Sequence, residues 1–143
     1  MEAARAKREA LKAMEADAFA EQQATDFERL VELEEEHGFE RVKRLDVGCW
    51  KPGVGAATMV IVKIPTSSEK VFKRYQDTAA KAKEGTTSRT DAVVTLGASC
   101  IVYPERGSDL YKATIEIAPG IDGHAGAVVI STVQGNAEEE KKG

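Results

Sequence analysis

The 143-residue sequence lacks three features that would each point to a broad class of protein. It has no excess of basic residues: 20 Lys and Arg stand against 24 Asp and Glu, which argues against a nucleic-acid binder. It has no apolar run long enough to span a membrane, and residues 1–19 contain no apolar core of a signal peptide. We therefore expect a cytoplasmic protein with neither nucleic acid nor membrane as its partner.

Signals for metal binding and catalysis are also scarce. The two Cys and two His form no CxxC or HxxxH pair, so we expect no metal site. The Gly-rich stretch 51–58 lacks Walker A spacing and precedes a strand, which is typical of a hairpin loop rather than a phosphate cradle. No GxSxG motif occurs. We expect no catalytic residue, no cofactor and no enzymatic activity.

The two cysteines are predicted to be reduced, because nothing in the sequence indicates export. Cys100 lies in the apolar run 98–102 and should be buried as a small hydrophobic residue. Cys49 stands beside Trp50 and should be more exposed.

Residues 1–38 form an acidic extension that is rich in strong helix formers and has no Pro. Its apolar spacing shifts phase near 22–25, which predicts two helical pieces, with Thr25 or Asp26 capping the second. Gly38 should end the second piece. The apolar stripe is thin, so the helix is either solvated or able to associate with a partner helix, including one from another copy of the chain.

Residues 39–135 are predicted to form a small α+β domain. β-branched residues around a Gly/Pro loop predict a β-hairpin over roughly 40–48 and 57–64. A capping box at 66–69 then begins a helix that should run to Lys83.

The remaining segments predict a mainly helical C-terminal half. We expect helices over 88–103 and 110–117, while a strand stays open within 88–103, and 124–133 is either helix or strand. Residues 136–143 should be a disordered polar tail. The fold class is thus α+β: a long N-terminal helix, a small β-hairpin and a predominantly helical C-terminal half.

The helix that follows the hairpin is basic, with Lys70, Lys73, Arg74, Lys81 and Lys83. We expect it to lie against the acidic N-terminal segment or against an acidic partner helix.

Several short segments resemble the tail assembly chaperones of long-tailed bacteriophages and prophages. They are 62–66 (VKIPT), 72–75 (FKRY), 92–104 ending in IVYP, 118–121 (APGI) and 134–135 (QG). The resemblance covers roughly 57–135, and the acidic helix at 1–38 is no part of it.

The resemblance implies a non-enzymatic protein of the host cytoplasm that binds the long, helical tape measure protein during tail assembly. It supplies no catalytic residue. Three other classes stay open: a structural or adaptor component of a phage particle, a regulatory domain unrelated to phage, and an enzyme.

Overall fold

The computed structural model describes residues 2–83 and 88–142 of the chain, with the side chains of its last helix described as far as Asn136. In chain order the elements are α1 (Glu2–His37), a short 3-10 helix (Phe39–Arg41), β1 (Val42–Asp46), β2 (Met59–Lys63), α2 (Lys70–Lys83), α3 (Arg89–Cys100), β3 (Ile101–Tyr103), α4 (Asp109–Ile117) and α5 (Ile121–Lys142). The predicted α+β class is confirmed, with its long N-terminal helix, its hairpin and its helical C-terminal half.

The three strands form one antiparallel sheet in the order β1-β2-β3. The hairpin pairs Val42 with Lys63 and Asp46 with Met59. Because β2 is central and covered on both faces, its first four residues are all buried, which explains its unbroken apolar sequence.

The sheet separates two apolar cores. On one face, Leu30 and Leu33 of α1 pack with Val42, Met59 and Ile61. The opposite face packs against the helices of the C-terminal half through a larger core that comprises Leu45, Val47, Val60, Val62, Ile64, Phe72, Leu96, Cys100, Ile101, Ile121, Ala125, Val129 and Val133. The result is three layers: α1, the sheet, and α2, α3 and α5.

This layering contradicts one of the two positions expected for the basic helix, the position against the acidic N-terminal segment. α2 packs against α3, whereas α1 packs against β1 and β2. The acidic and basic helices therefore lie on opposite faces of the sheet, because each supplies the apolar residues that its own face of β2 needs.

The prediction of two helical pieces at the N-terminus is wrong, because α1 is one helix of 36 residues. Neither proposed cap residue interrupts it: Thr25 donates a hydrogen bond to the Glu21 carbonyl, and Asp26 is buried against the sheet. The apolar spacing shifts because only the second half of α1 packs against the sheet. Residues 2–17 are all exposed, and burial begins at Ala18.

The predicted end of α1 is confirmed, whereas the predicted start of α2 is confirmed only in part. Gly38 ends α1 with φ 95° and donates its N–H to the Glu34 carbonyl. The carboxylate of Glu69 accepts a hydrogen bond from the Thr66 N–H at 3.2 Å, as one half of a capping box does, but α2 itself begins at Lys70.

The structure decides between the alternatives that were left open in the C-terminal half and corrects the predicted tail. The helix expected over 88–103 ends at Cys100, and Ile101–Tyr103 forms β3, because these residues complete the third strand beside β2. The segment 124–133 is helical, and α5 continues to Lys142, over positions predicted to be a disordered tail.

α3 and α5 pack with their backbones in close approach at two glycines. A Cβ on Gly97 would lie 1.8 Å from the Asp122 carbonyl oxygen, and one on Gly126 would lie 2.1 Å from the Val93 carbonyl oxygen. Only glycine allows this separation of the two helices.

Candidate partner-binding surfaces

Asp26 is the most enclosed polar group on the α1 side of the sheet. Its carboxylate is fully buried and accepts hydrogen bonds from the Thr58 N–H at 2.7 Å and the Thr58 hydroxyl at 2.6 Å. Gln22 adds a third donor at 2.9 Å, and the Tyr103 hydroxyl adds a fourth. All these donors satisfy the carboxylate within the protein, so the site fastens α1 to β3 and to the residue before β2.

The same contact changes the chemistry of Tyr103. Burial raises the pKa of its phenol far above the ordinary value of 10.0, and the hydrogen bond and negative charge of Asp26 raise that pKa further. Tyr103 therefore remains a neutral donor through the physiological range and is unsuited to proton transfer there.

The Gly-rich loop is used for internal contacts. The Trp50 indole donates to the Ala56 carbonyl at 2.8 Å and packs edge-on against Phe19 of α1, with ring centroids 5.5 Å apart. The Ala57 N–H is bound by the Thr114 hydroxyl oxygen at 2.9 Å. Since the next N–H, that of Thr58, is held by Asp26, neither amide is left for a phosphate.

An open groove lies where α2, α3 and α5 meet. It holds about 600 Å³ and is lined by Tyr75, Arg89, Val93, Ala127, Ile130, Ser131, Gln134 and Gly135. Its lining combines the apolar side chains of Val93, Ala127 and Ile130 with the polar side chains of Ser131 and Gln134. Among the described residues that line it, Arg89 is the one that is charged. We call this surface the α2–α3–α5 groove.

A second, smaller groove between α2 and α3 meets the first at Tyr75. It is lined by Val71, Arg74, Tyr75, Thr78, Ala92, Thr95, Leu96 and Ser99. Of the described side chains that line this second groove, Arg74 is the one that is charged. The two grooves therefore form one surface that mixes apolar and polar side chains, with Arg74 lining one groove and Arg89 lining the other.

The outer side of α1 carries an apolar row, which we call the α1 stripe: Ala20, Ala24, Phe27 and Val31. All four are exposed, with Phe27 at 37% and Val31 at 51%. Their spacing of four, three and four residues places them on one helical face. An exposed acidic row of Glu21, Glu28 and Glu35 runs beside the stripe. The Arg44 guanidinium lies 4.8 Å from the centre of the Phe27 ring.

The N-terminal half of α1, residues 2–17, is a separate feature, which we call the arm. It is exposed along its whole length, including Leu11 at 58% and Met14 at 68%. At 1.5 Å per residue it extends about 24 Å beyond the packed part of the helix.

The residues considered for metal binding and reactivity remain apart. Within the described ranges 2–83 and 88–142, no three His, Cys, Asp or Glu side chains group to hold a metal ion. His124 is exposed on α5, and His37 lies 3.8 Å from the Glu36 carboxylate.

Cys100 is buried as predicted, and burial together with the charge of Glu69 raises its pKa to about 11. Cys49 is exposed and donates to the Ile117 carbonyl.

No helix in the described part of the chain combines the length and apolar character that a membrane span requires. The chain matches no protein-family model, no curated protein and no solved structure.

Sequence reasoning missed both the Asp26 site and the grooves. A signal for the first existed: Asp26, Leu30 and Leu33 share one helical face, so the aspartate had to meet the surface that the leucines cover. The grooves depend on the angles between three helices, for which spacing within each helix carries no information.

Proposed function

We propose that this protein is a non-enzymatic tail assembly chaperone of a long-tailed phage or prophage. In this proposal it acts in the host cytoplasm and binds amphipathic helices of the tape measure protein. The observation that supports it best is the α2–α3–α5 groove, because a groove between helices that presents apolar side chains such as Val93 and Ile130 is a surface on which an amphipathic helix docks.

The segments that carry the family resemblance supply much of the groove. Tyr75 comes from the segment 72–75, Val93 from 92–104, and Gln134 with Gly135 from 134–135. These segments are up to 60 residues apart along the chain, and they line one surface. The resemblance and the groove therefore support the same proposal from different observations.

The size of the floor residues suits a helical client. Ala127 and Gly135 allow a second helix to approach closely, while Val93 and Ile130 offer apolar contact. A shallow site of this kind gives modest affinity, which suits a chaperone that binds at many places along a rod and is later displaced.

The experiment is an affinity capture with the tagged full chain from cells that express its source locus, read by mass spectrometry. The proposal predicts recovery of a long, helix-rich protein of the same locus, and loss of that protein when Ala127, an exposed floor residue, is changed to Glu. Capture that is unaffected by Ala127→Glu would contradict a role for the groove.

The arm favours a second candidate, a structural or adaptor component of the particle. A helix exposed along residues 2–17 is a form that a permanent subunit uses to reach a neighbour. Purified particles distinguish the two candidates: a chaperone is absent from them, whereas a structural component is present in a fixed ratio to the other subunits.

A further inference from the structure

We infer that the outer edge of β1 binds an extended segment of a partner protein as a fourth strand of the sheet. The segment has apolar residues at alternate positions and basic residues at its ends. This surface is separate from the α2–α3–α5 groove and needs no helical client, so it is independent of the proposed function.

The ladder between β1 and β2 determines which backbone groups of β1 point outward. Just after β1, the Val47 N–H donates a hydrogen bond to the Thr58 carbonyl at 2.8 Å. In an antiparallel pair every second residue exchanges hydrogen bonds with the partner strand, so the odd-numbered residues of β1 bond to β2. The N–H and C=O groups of Arg44 and Asp46 therefore point away from β2.

These outward groups are open to solvent at the longer edge of the sheet. As far as the structure describes the chain, β1 pairs with β2 alone, and both Arg44 and Asp46 are exposed. At the opposite edge, β3 has three residues against five in β1, and it is followed by Pro104, which has no N–H. β1 is therefore the edge at which a further strand has two N–H and two C=O groups to pair with.

The α1 stripe lies beside this edge. The Arg44 guanidinium of β1 is 4.8 Å from the centre of the Phe27 ring, which places the stripe on the β1 side of the helix. Because the chain reverses at Gly38, Val31 lies one turn further along α1 toward the beginning of β1. There Phe39 is 76% exposed in the 3-10 helix that leads into β1. A strand beside β1 would cover these apolar side chains, which stabilises the bound state.

The charged side chains of the edge do not close it. Arg44 and Asp46 form an ion pair at 3.4 Å, and the Arg44 guanidinium lies over Phe27 on the α1 face. Side chains of a strand stand roughly perpendicular to the sheet, so this pair leaves the backbone groups in the plane of the sheet uncovered. Charges at an edge discourage pairing with a strand that is apolar on both faces. The edge is therefore selective for a strand of mixed polarity.

Charge indicates which segment fits. The packed half of α1, residues 18–37, has seven Asp and Glu residues against one Arg. Glu28 and Glu35 are exposed beside the α1 stripe, so Lys or Arg at the ends of a bound segment meets negative charge. Antiparallel pairing of β1 with β1 of a second copy would instead place two acidic α1 helices on one face of the joined sheet, which is unfavourable. The occupant is therefore a segment of a different protein.

The probe is a set of seven-residue peptides with Lys at both ends, Val, Ile or Phe at the third and fifth positions, and Thr at the even positions. In a strand this order puts the apolar residues and both Lys on one face. Amide hydrogen exchange of the full chain, followed by NMR, measures binding at each N–H. In the free chain the outward N–H groups of Arg44 and Asp46 should exchange rapidly, whereas those of Lys43 and Leu45 are protected by β2.

Peptide binding should slow exchange at Arg44 and Asp46 at least about tenfold, because both N–H groups then donate to the added strand. Peptides of the same composition with the apolar residues at the third and fourth positions should bind at least about tenfold more weakly, since one apolar side chain then faces away from α1. Unchanged exchange at Arg44 and Asp46 with every alternating peptide would overturn the inference. Protection that rises with protein concentration and without peptide would assign the edge to a second copy and would also overturn it.

Two changes at one position separate the role of the backbone from that of the side chain. Arg44→Pro removes an outward N–H and no hydrogen bond to β2, and proline is tolerated in an edge strand when its nitrogen faces solvent. It should weaken peptide binding at least about tenfold, while Arg44→Ala, which keeps the N–H, should stay within about threefold of the original. Equal affinity of the two variants would contradict pairing at the backbone. Far-ultraviolet circular dichroism checks that both variants are folded.

Methylated peptides give the same test on the unmodified chain. Only alternate N–H groups of a strand face its neighbour, so N-methylation of the odd or of the even positions blocks different groups. One of the two sets of peptides should lose binding and the other should keep it. Equal binding of both sets would contradict the addition of a strand.

Discussion

Tyr103 donates a hydrogen bond to Asp26 across 77 positions of sequence, and this contact joins the edge strand β3 to α1. The buried residues of α1 are Asp26, Leu30 and Leu33, so both a polar and an apolar contact attach this helix to the sheet. The Asp26 carboxylate accepts hydrogen bonds from four donors. Removing the carboxylate would leave each donor without this acceptor.

Asp26→Ala should lower the free energy of unfolding by about 3 kcal/mol, because it leaves the buried Thr58 N–H and the Tyr103 hydroxyl without an acceptor. Asp17→Ala, an exposed change on the same helix, should cost less than about 0.5 kcal/mol. Urea unfolding followed by circular dichroism measures both. Equal effects would show that the buried network does not stabilise the fold.

The stability of the protein should fall in mild alkali because of Cys100. Burial, with a smaller effect of the Glu69 charge, raises the pKa of its thiol from 9.0 to about 11. A folded-state pKa above the unfolded value gives stability that is complete below pH 9 and is lost as the pH rises through about 11.

Cys100→Ala should therefore remove the part of the decline that falls between pH 9 and pH 10, where the slope approaches about 1.4 kcal/mol per pH unit. Cys49→Ala, at the exposed cysteine, should keep that decline. Urea unfolding at closely spaced pH values measures the slope. A Cys100→Ala protein with the same slope as the unmodified chain would contradict the assignment.

Gly97→Ala should be strongly destabilising, by about 3 kcal/mol or more, because its Cβ would meet the backbone of Asp122 and force α3 away from α5. Gly135→Ala, also within α5, has open space around its Cβ and should be neutral or stabilising by up to about 1 kcal/mol. The difference in thermal midpoint between the two variants tests this contact. Similar midpoints would mean that the close approach is not required.

Deletion of residues 2–16 should leave the remaining fold intact, with a change in unfolding free energy below about 1 kcal/mol, because the arm buries no side chain. The particle-component candidate for the arm predicts that this deletion abolishes incorporation into particles. Urea unfolding and the composition of purified particles measure the two effects. A large loss of stability would show that the arm packs against the rest of the chain.

The local features of this fold can be predicted from the sequence, whereas the angles between its helices cannot. The hairpin, the capping box at Thr66 and the end of α1 at Gly38 each depend on residues close together in the chain, and all three were predicted. The residues of β3 were assigned to helix because Cys100 and Tyr103 continue the helical spacing of α3. The β-branched Ile101 and Val102 left a strand open, and pairing with the edge of β2 decides for the strand.

The groove could not be predicted from the sequence for the same reason. Tyr75, Val93 and Ala127 are ordinary helix residues in sequence, and their common surface depends on how α2, α3 and α5 cross. The α1 stripe could not be predicted for a different reason. The helix has two apolar rows, and the sequence does not indicate which one faces the sheet. The buried Asp26 decides this, since it lies with Leu30 and Leu33.

The central claim is that the α2–α3–α5 groove holds a helix of a long tail protein. Its most direct test is the amount of the tape measure protein recovered per copy of tagged chain, compared between Ala127→Glu and Ala13→Glu. Both changes place a carboxylate at an exposed helical alanine, but only Ala127 lines the groove. The account predicts at least about tenfold less recovery with Ala127→Glu and unchanged recovery with Ala13→Glu. Equal recovery with both variants would contradict it.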